Sequence, residues 1–388
     1  MPREDGRGVN LISRRLQDNG IVFCFIRKYG SVTRYFIRMR LNISKLINPK
    51  KRVMICELLN YSHIYNLFLR YTSTIEGLEA YPNIKNLDKW KVRRIDYCVQ
   101  FKVHDIKTYI KLLQRGNKPY RGNYVIPFLP DRKEYVRDIS KIGLTNELRK
   151  THKPGSVYFI GGHYDKDNKI KNGSMIINFY DKCFEMKSYK NKGRYTERDF
   201  NKAENVLRIE IQCLREKIDS IIDKYDLYRE ENGIRIKDKR LVRFLNPTIT
   251  KDILLTKYQE VGDKGNYYKK ADAFKFIDET KNIRNKSRLK YILNLVNGRG
   301  GSGATVWKVY EKIKANPGEY EITAKQFKKG IRKLNDIGIN PVTLKAQYEL
   351  DELKSLYDEI KNYCDNNRSY VYSDDILEDE FDNYTEEI

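Results

Sequence analysis

Residues 173–214 read GSMIINFYDKCFEMKSYKNKGRYTERDFNKAENVLRIEIQCL, and the fold turns on how this stretch is read. Residues 175–180 have the composition of a strand that ends at Tyr180-Asp181-Lys182; helical spacing over 183–189 and a lysine-rich loop follow. Residues 206–214 alternate cleanly, with Leu207, Ile209, Ile211 and Cys213 on one face and Arg208, Glu210 and Gln212 on the other. Residues 91–103, KVRRIDYCVQFKV, repeat the pattern, with Ile95, Tyr97, Val99 and Phe101 set against Arg94, Asp96 and Cys98. The expectation is an α+β fold: an antiparallel sheet with helices on its apolar face and Asp96, Tyr180 and Glu210 convergent on the open face, followed by a mostly helical C-terminal region.

Working outward, residues 20–46 predict two strands, IVFCFIRKY and TRYFIRMRL, joined at Gly30-Ser31. Helical periodicity marks 53–71 and 106–115, the latter with Gly116 as a C-cap candidate. Residues 117–154 form a long basic loop with Pro119, Pro127 and Pro130, a length uncommon unless functional. A short strand, SVYFIG, covers 156–161 before the Gly161-Gly162 loop. Downstream, helices are expected over 216–228 and 270–297, with a hinge at NGRGGSG, 297–303. Thr323 caps a helix through Phe327, Ile331 and Leu334, Gly338 ends it, and Asn340-Pro341 is an N-cap and N1 pair for another. The joint, with Lys325, Lys328, Lys329 and Lys333, is read as a helical hairpin, with a helix-turn-helix as the alternative. The division expected is a basic flexible arm at 1–19, a catalytic domain at 20–230, a helical linker at 231–296, a basic DNA-binding region at 297–372 and an acidic tail at 373–388.

Charge narrows the partners. The chain carries 76 Lys+Arg against 52 Asp+Glu, a net +24, and its last sixteen residues hold eight acids and no base, so the body is more basic still. Such an excess is an electrostatic footprint for polyanions. The 30 tyrosines suit stacking on unpaired bases, although an AT-rich genome would explain their number equally well. Six cysteines without a Cys-x-x-Cys pair suggest a reduced intracellular protein with neither disulfides nor a zinc module. No apolar run approaches the ~18 residues of a membrane span; a cytoplasmic location is expected.

A metal-dependent phosphodiester transesterification needs a hydroxyl nucleophile, a divalent cation and cationic groups for the developing charge. Tyr180 supplies the first, Asp96 and Glu210 are hard oxygen ligands for Mg2+ or Mn2+, and Lys182 and Arg208 meet the phosphate. Singly, an acid on a strand is a solvated residue and a tyrosine is structural; the order of strand acid, strand tyrosine and strand glutamate carries the reading.

The elements Arg94-Ile95-Asp96, Tyr158-Phe159-Ile160-Gly161, Tyr180-Asp181-Lys182 and Arg208-Ile209-Glu210 resemble those of rolling-circle replication initiators. The filamentous-phage gene II proteins and the initiation factors of Gram-positive plasmids and conjugative elements are the most similar in order, over roughly residues 20–230, and 324–349 resembles the gene II C-terminal region more loosely. The resemblance implies a nickase of origin DNA, single-stranded or as a cruciform or duplex. Tyr180 would attack to leave a 5′-phosphotyrosine and a free 3′-hydroxyl, with Asp96 and Glu210 as metal ligands and Lys182 and Arg208 on the phosphate. A host helicase and polymerase would be partners, in the cytoplasm of a bacterial host.

One departure is that the wider class holds its metal with a His-hydrophobe-His pair, whereas this chain has only His63, His104, His152 and His163, none so spaced. His163 is either a third ligand or base, or an exposed loop residue. Residues 298–305, GRGGSGAT, have phosphate-loop spacing but place Ala304 where lysine is required, and are read as a linker. The rival reading is a non-enzymatic DNA-binding protein or transcription factor that uses the basic body and C-terminal helices.

Overall fold

The computed structural model describes residues 9–11, 14–28, 34–47, 61–73, 82–117, 124–125, 156–161, 163–164, 170–171, 174–187, 195–298 and 305–366. Strands β1 (Val9–Leu11), β2 (Ile21–Lys28) and β3 (Arg34–Leu41) form a small antiparallel sheet, with helix α1 (Arg14–Asp18) between the first two. The β2–β3 register runs from Ile21↔Leu41 to Lys28↔Arg34, as the two apolar runs predict, while the Gly30-Ser31 turn lies outside the described residues. Residues 9–11 and 14–19 depart from the expected flexible arm: β1 pairs along β2, and Leu16 is 1% exposed; residues 1–8 lie outside the described residues. Backbone groups of β2 are satisfied by this pairing, and an apolar side chain in α1 has a core to enter. That core places Ile21 and Phe23 against Leu46 of α2 (Ile43–Ile47), Ile64 and Phe68 of α3 (Tyr61–Ser73) and Ile84 of α4 (Pro82–Lys85). The first part of the helix expected over 53–71 lies outside the described residues.

The second sheet carries the site. It comprises β4 (Ile95–Lys102), β5 (Tyr124–Val125), β6 (Ser156–Gly161), β9 (Met175–Asp181) and β10 (Val206–Cys213), in the antiparallel order β4-β10-β9-β6-β5. Strands β7 (His163–Tyr164) and β8 (Ile170–Lys171) form a separate hairpin. The first hairpin of the chain therefore does not join the site sheet. Tyr97, Val99, Ile177, Phe179, Leu207 and Ile209 lie on one face and are buried, each worth about 1.5–3 kcal/mol relative to exposure. Helices α5 (Ile106–Gln114), α8 (Arg215–Tyr225) and α10 (Pro247–Gly262) cover them. The short α6 (Lys182–Met186) and α7 (Glu197–Ala203) lie between β9 and β10. Gly116 corrects its expected role: Arg115 closes α5 in the right-handed conformation, and a Cβ on Gly116 would stand 2.2 Å from the Val261 carbonyl oxygen. The glycine is there for close backbone approach, and Asn117 N–H donates to that same carbonyl at 3.0 Å.

Beyond β10 the chain is mostly helical, with departures. A hairpin of β11 (Tyr228–Glu231) and β12 (Ile234–Lys237) turns at Asn232 and Gly233, both left-handed, in a region expected to be mostly helical and with no strand singled out. After α9 (Leu241–Phe244) and α10, β13 (Tyr267–Tyr268) leads to α11 (Lys270–Glu279) and α12 (Lys286–Asn297), which divide the single helical stretch expected over 270–297. Asn282 and Asn285, both at φ 63°, break it. Thr305 spends its hydroxyl capping α13 (Val306–Ala315), and residues 299–304 lie outside the described residues. Helix α14 (Ala324–Asp336) begins with the expected Thr323 cap, completed by Gln326 into a capping box.

No helix starts at Asn340-Pro341, which corrects both the helical hairpin and the helix-turn-helix. The Asn340 side chain is buried and donates to the carbonyls of Gly262 (2.7 Å) and Gly265 (3.2 Å) while accepting from Val342 N–H. The chain instead runs on, bridging Asn266 and Lys269, to β14 (Glu352–Leu353), the partner of β13, and to α15 (Tyr357–Asn366).

A single apolar core runs from Tyr97 to Cys364, and the segment expected as a linker, 231–296, contributes Phe244, Leu254, Tyr258 and Ile292 to it. Asn297, expected to open a hinge, is a buried junction: its Oδ1 accepts from Arg115 Nη2 (2.7 Å) and Thr343 N–H (2.9 Å), and its Nδ2 donates to Pro341 O (2.9 Å). Among the described residues no helix is long and apolar enough to cross a membrane.

Asp263, at the end of α10, is buried and accepts from Asn117 Nδ2 at 3.2 Å. Burial pushes its carboxyl up to about 7 from the ordinary 3.8, against the pull of hydrogen bonds from Asn335 and Asn117. Between those two values the folded chain holds a proton that the unfolded chain releases, so the unfolding free energy falls as pH rises, by up to about 1.4 kcal/mol per unit. In thermal melts from pH 4 to pH 8, Asp263→Asn is expected to gain on the wild type as pH rises. A constant difference across that range would exclude Asp263 as the titrating group.

Candidate active site

Strand β10 is hydrogen-bonded along both edges, and its register assembles the site. Glu210 lies opposite Cys98 and Asn178, Arg208 opposite Gln100 and Tyr180, and Gln212 opposite Asp96 and Ile176. Directly opposed residues share a face and diagonal ones are within reach of long side chains. Asp96, Tyr180 and Glu210 therefore occupy three neighbouring strands on the face away from the helices.

Glu210 is the centre. Its Oε2 accepts the Tyr180 hydroxyl at 3.1 Å and lies 3.4 Å from Arg208 Nε, while its Oε1 accepts Gln212 Nε2 at 2.8 Å. Arg208 reaches from β10 to β4 to donate from Nη2 to the Cys98 sulfur at 3.3 Å. Asp96 is held by Arg94, which stands just before β4, through a two-bonded fork at 2.8 and 2.7 Å. Lys182 enters a buried position at the start of α6 and donates to Glu185 at 2.7 Å. The turn that seats it is fixed by Asp181, whose side chain caps α6 by accepting from Phe184 N–H at 3.0 Å.

These contacts separate the ionisations. Burial pushes the Tyr180 phenol well above its usual value, and Glu210 adds to this against the opposing pull of Arg208. Burial would raise the Glu210 carboxyl too, but Arg208 and the hydrogen bonds from Gln212 and Tyr180 hold it below the usual glutamate range. In the free protein the shared proton therefore rests on Tyr180. Burial, then Arg208, lower the Lys182 ammonium, with Glu185 opposing. Burial raises Asp96 against Arg94, and pushes the Cys98 thiol up to about 12.

The geometry thus joins Tyr180, Arg208 and Glu210 directly, brings Asp96 beside them on the next strand, and sets Lys182 within their electrostatic reach. His163 is in β7, opposite Lys171, and its side chain lies outside the described residues, as do His152 and Tyr189. His63 and His104 are exposed and belong to neither face of the site.

Asn178 was not singled out in the sequence, although its i, i+2 spacing to Tyr180 puts it on the same face. Its Oδ1 is buried with no hydrogen-bond partner among the described residues, opposite Glu210 in the register. Among the described residues no three His, Cys, Asp or Glu side chains gather as a metal cluster. The donor types, two carboxylates and an amide oxygen, suit a hard divalent cation, but Asp96 is held by Arg94 and Glu210 by Tyr180, Arg208 and Gln212, so a cation would compete with those partners. No family model, curated protein or solved structure matches the chain.

The Arg208–Glu210 pair has a measurable signature. Glu210 retains only 14% side-chain exposure and Arg208 22%, so Arg208→Leu leaves a largely buried carboxylate uncompensated, at a cost of about 3 kcal/mol. Because the Glu210 carboxyl is held below 4.5, the stabilisation is present above that value and lost as pH falls through the folded one. Denaturant titrations are expected to give a larger loss for the variant at pH 7 than at pH 4; equal losses would mean that packing, not charge, is what Arg208 supplies.

Proposed function

We propose that the chain is a DNA nicking-joining endonuclease that initiates rolling-circle replication, with Tyr180 as its nucleophile. The observation that carries this reading is the Tyr180 hydroxyl donating at 3.1 Å to Glu210, an oxygen also 3.4 Å from Arg208 Nε, on a sheet face that holds Asp96 as well. A phenol, a proton acceptor and a guanidinium gathered at one carboxylate supply the nucleophile, the base and a cationic group that attack on a phosphodiester requires beside a divalent cation.

The step balances on these residues. Tyr180 Oη bonds to phosphorus, its proton passes to Glu210, and the bond from phosphorus to the 3′-oxygen breaks. The leaving oxygen takes a proton from Lys182, whose lowered ammonium makes it a readier donor. The products are a 5′-phosphotyrosine, which conserves the phosphodiester for rejoining, and a 3′-hydroxyl for a polymerase. Arg208 and Arg94 face the charge that develops on the phosphate. Asp96, Glu210 and Asn178 are the residues that would hold Mg2+ or Mn2+, whose part is to polarise the scissile phosphate. The substrate would be origin DNA, single-stranded or as a cruciform in a duplex, in the cytoplasm of a bacterial host, with helicase and polymerase following. Without attack by Tyr180, the same fold would be a DNA-binding protein in which the Tyr180–Glu210 bond is structural.

Tyr180→Phe keeps the ring and removes the nucleophile. With Mn2+ and a supercoiled plasmid carrying the DNA that surrounds the chain's own coding sequence, the wild type is expected to form a denaturation-resistant adduct. Mass spectrometry should locate it on the peptide containing residue 180. The variant is expected to bind within about twofold of wild type and form no adduct. Adduct formation by the variant at the wild-type rate overturns the assignment, and a wild type that binds but never forms one favours the binding-protein reading.

A further inference from the structure

We propose that the exposed face of helix α14 is a docking surface for the phosphate backbone of duplex DNA, separate from the sheet site and independent of whether Tyr180 attacks DNA. Phe327, Gly330, Ile331 and Leu334 of α14 face the core, and Lys325, Lys329, Arg332 and Lys333 are exposed on the other side. The four recur at i, i+4, i+7 and i+8, which lines them up over about 12 Å of helix.

Two features distinguish this row from an ordinary solvated face. Among the described residues no carboxylate pairs with any of the four, and they stand in one line on one helix, whereas other unpaired exposed cations such as Lys281, Lys354 and Lys361 lie on separate elements and others are matched, among them Lys224 with Asp252, Lys237 with Asp223 and Arg240 with Asp238. Asp336 lies on the same face at the end of the helix, so the row holds four cations to one carboxylate, where a solvated face normally intersperses both signs. The row is also rigidly seated. A Cβ on Gly330 would stand 2.1 Å from Ile292 Cδ1, so α14 lies close against α12, and Lys328 on its flank sits 4.4 Å from the Tyr310 ring of α13.

The chemistry of the row selects its ligand. A duplex presents one negative charge per about 1.7 Å of axis, which a fixed line of cations can follow. No aromatic residue interrupts the four, so the face offers no platform for stacking unpaired bases. Insertion into a lipid surface requires an apolar helix face, and the apolar face of α14 is already buried in the core.

Removing α14 would strip Phe327, Ile331 and Leu334 from that core, so the test uses surface substitutions in the full chain. The variant K325Q/K329Q/R332Q/K333Q is compared with K281Q/R284Q/K354Q/K361Q, which neutralises four exposed cations elsewhere. Binding to a 20-base-pair duplex is measured by fluorescence anisotropy at several salt concentrations without divalent metal, after circular dichroism shows both variants folded. For the α14 variant, affinity is expected to fall at least tenfold at 150 mM salt and the log–log salt slope to drop by about 3 to 4. The control should change affinity less than threefold, K325R/K329R/K333R should bind as wild type, and adduct formation on a single-stranded oligonucleotide should be unchanged in the α14 variant. An unchanged duplex slope, an equal loss in the control, or a loss confined to anionic phospholipid vesicles overturns the proposal.

Discussion

The site depends on β10 being paired along both edges. A strand has a period of two, so a slip of one residue against either neighbour would exchange its faces. In β10 that exchange would push Arg208 and Glu210 into the helices behind the sheet and expose Leu207, Ile209 and Ile211. Burying two charges there costs several kcal/mol each, in addition to the lost apolar burial. The register is therefore held from both sides of the sheet at once, and Tyr180 can meet Glu210 across thirty residues of chain because neither strand has another stable alignment.

The polar face is crowded with charge yet locally balanced. Arg94 with Asp96, Arg208 with Glu210 and Lys182 with Glu185 make three cation–anion pairs, each already hydrogen-bonded or in ion contact. This balance is what permits such groups to be partly buried. On the reading proposed above, a phosphate would have to compete with these carboxylates for the three cations. The opposite shifts of Tyr180 and Glu210 are products of the same cluster: Arg208 lowers both, and burial wins at the phenol and loses at the carboxyl.

The sheet and the Tyr180–Glu210 contact were legible because alternation over 95–102 and 206–213 is a direct image of one buried and one polar face. Asn178 was not, since a single asparagine inside an apolar run reads as an interruption until the register puts it opposite Glu210. The hairpin at Asn232-Gly233 carried a good turn signal, but its strands, YREE and IRIK, have little apolar alternation to announce them. Asn340-Pro341 failed for the opposite reason. Its local signal is that of a helix start, but carbonyls 75 and 78 residues earlier take the asparagine amide, and tertiary hydrogen bonding overrode the local preference. Leu16 shows how little charge density says about burial, for this leucine in a basic stretch is buried while β1 pairs with β2 beside it.

The backing of the sheet is finished by residues far along the chain. The Tyr109 hydroxyl donates to the Lys354 carbonyl, 245 residues later, and Phe101 meets Tyr363 edge to face at 6.5 Å. During synthesis, β4 and α5 emerge long before those partners, so the apolar face of the nascent sheet has no complete cover until residues near 363 have left the ribosome. Contacts of such sequence separation delay closure of the core and make folding slow for the chain's size. They also tie the last part of the cover behind the Tyr180 face to late translation, since Tyr363 of α15 emerges about a hundred residues after α10, the last of the helices packed on the sheet.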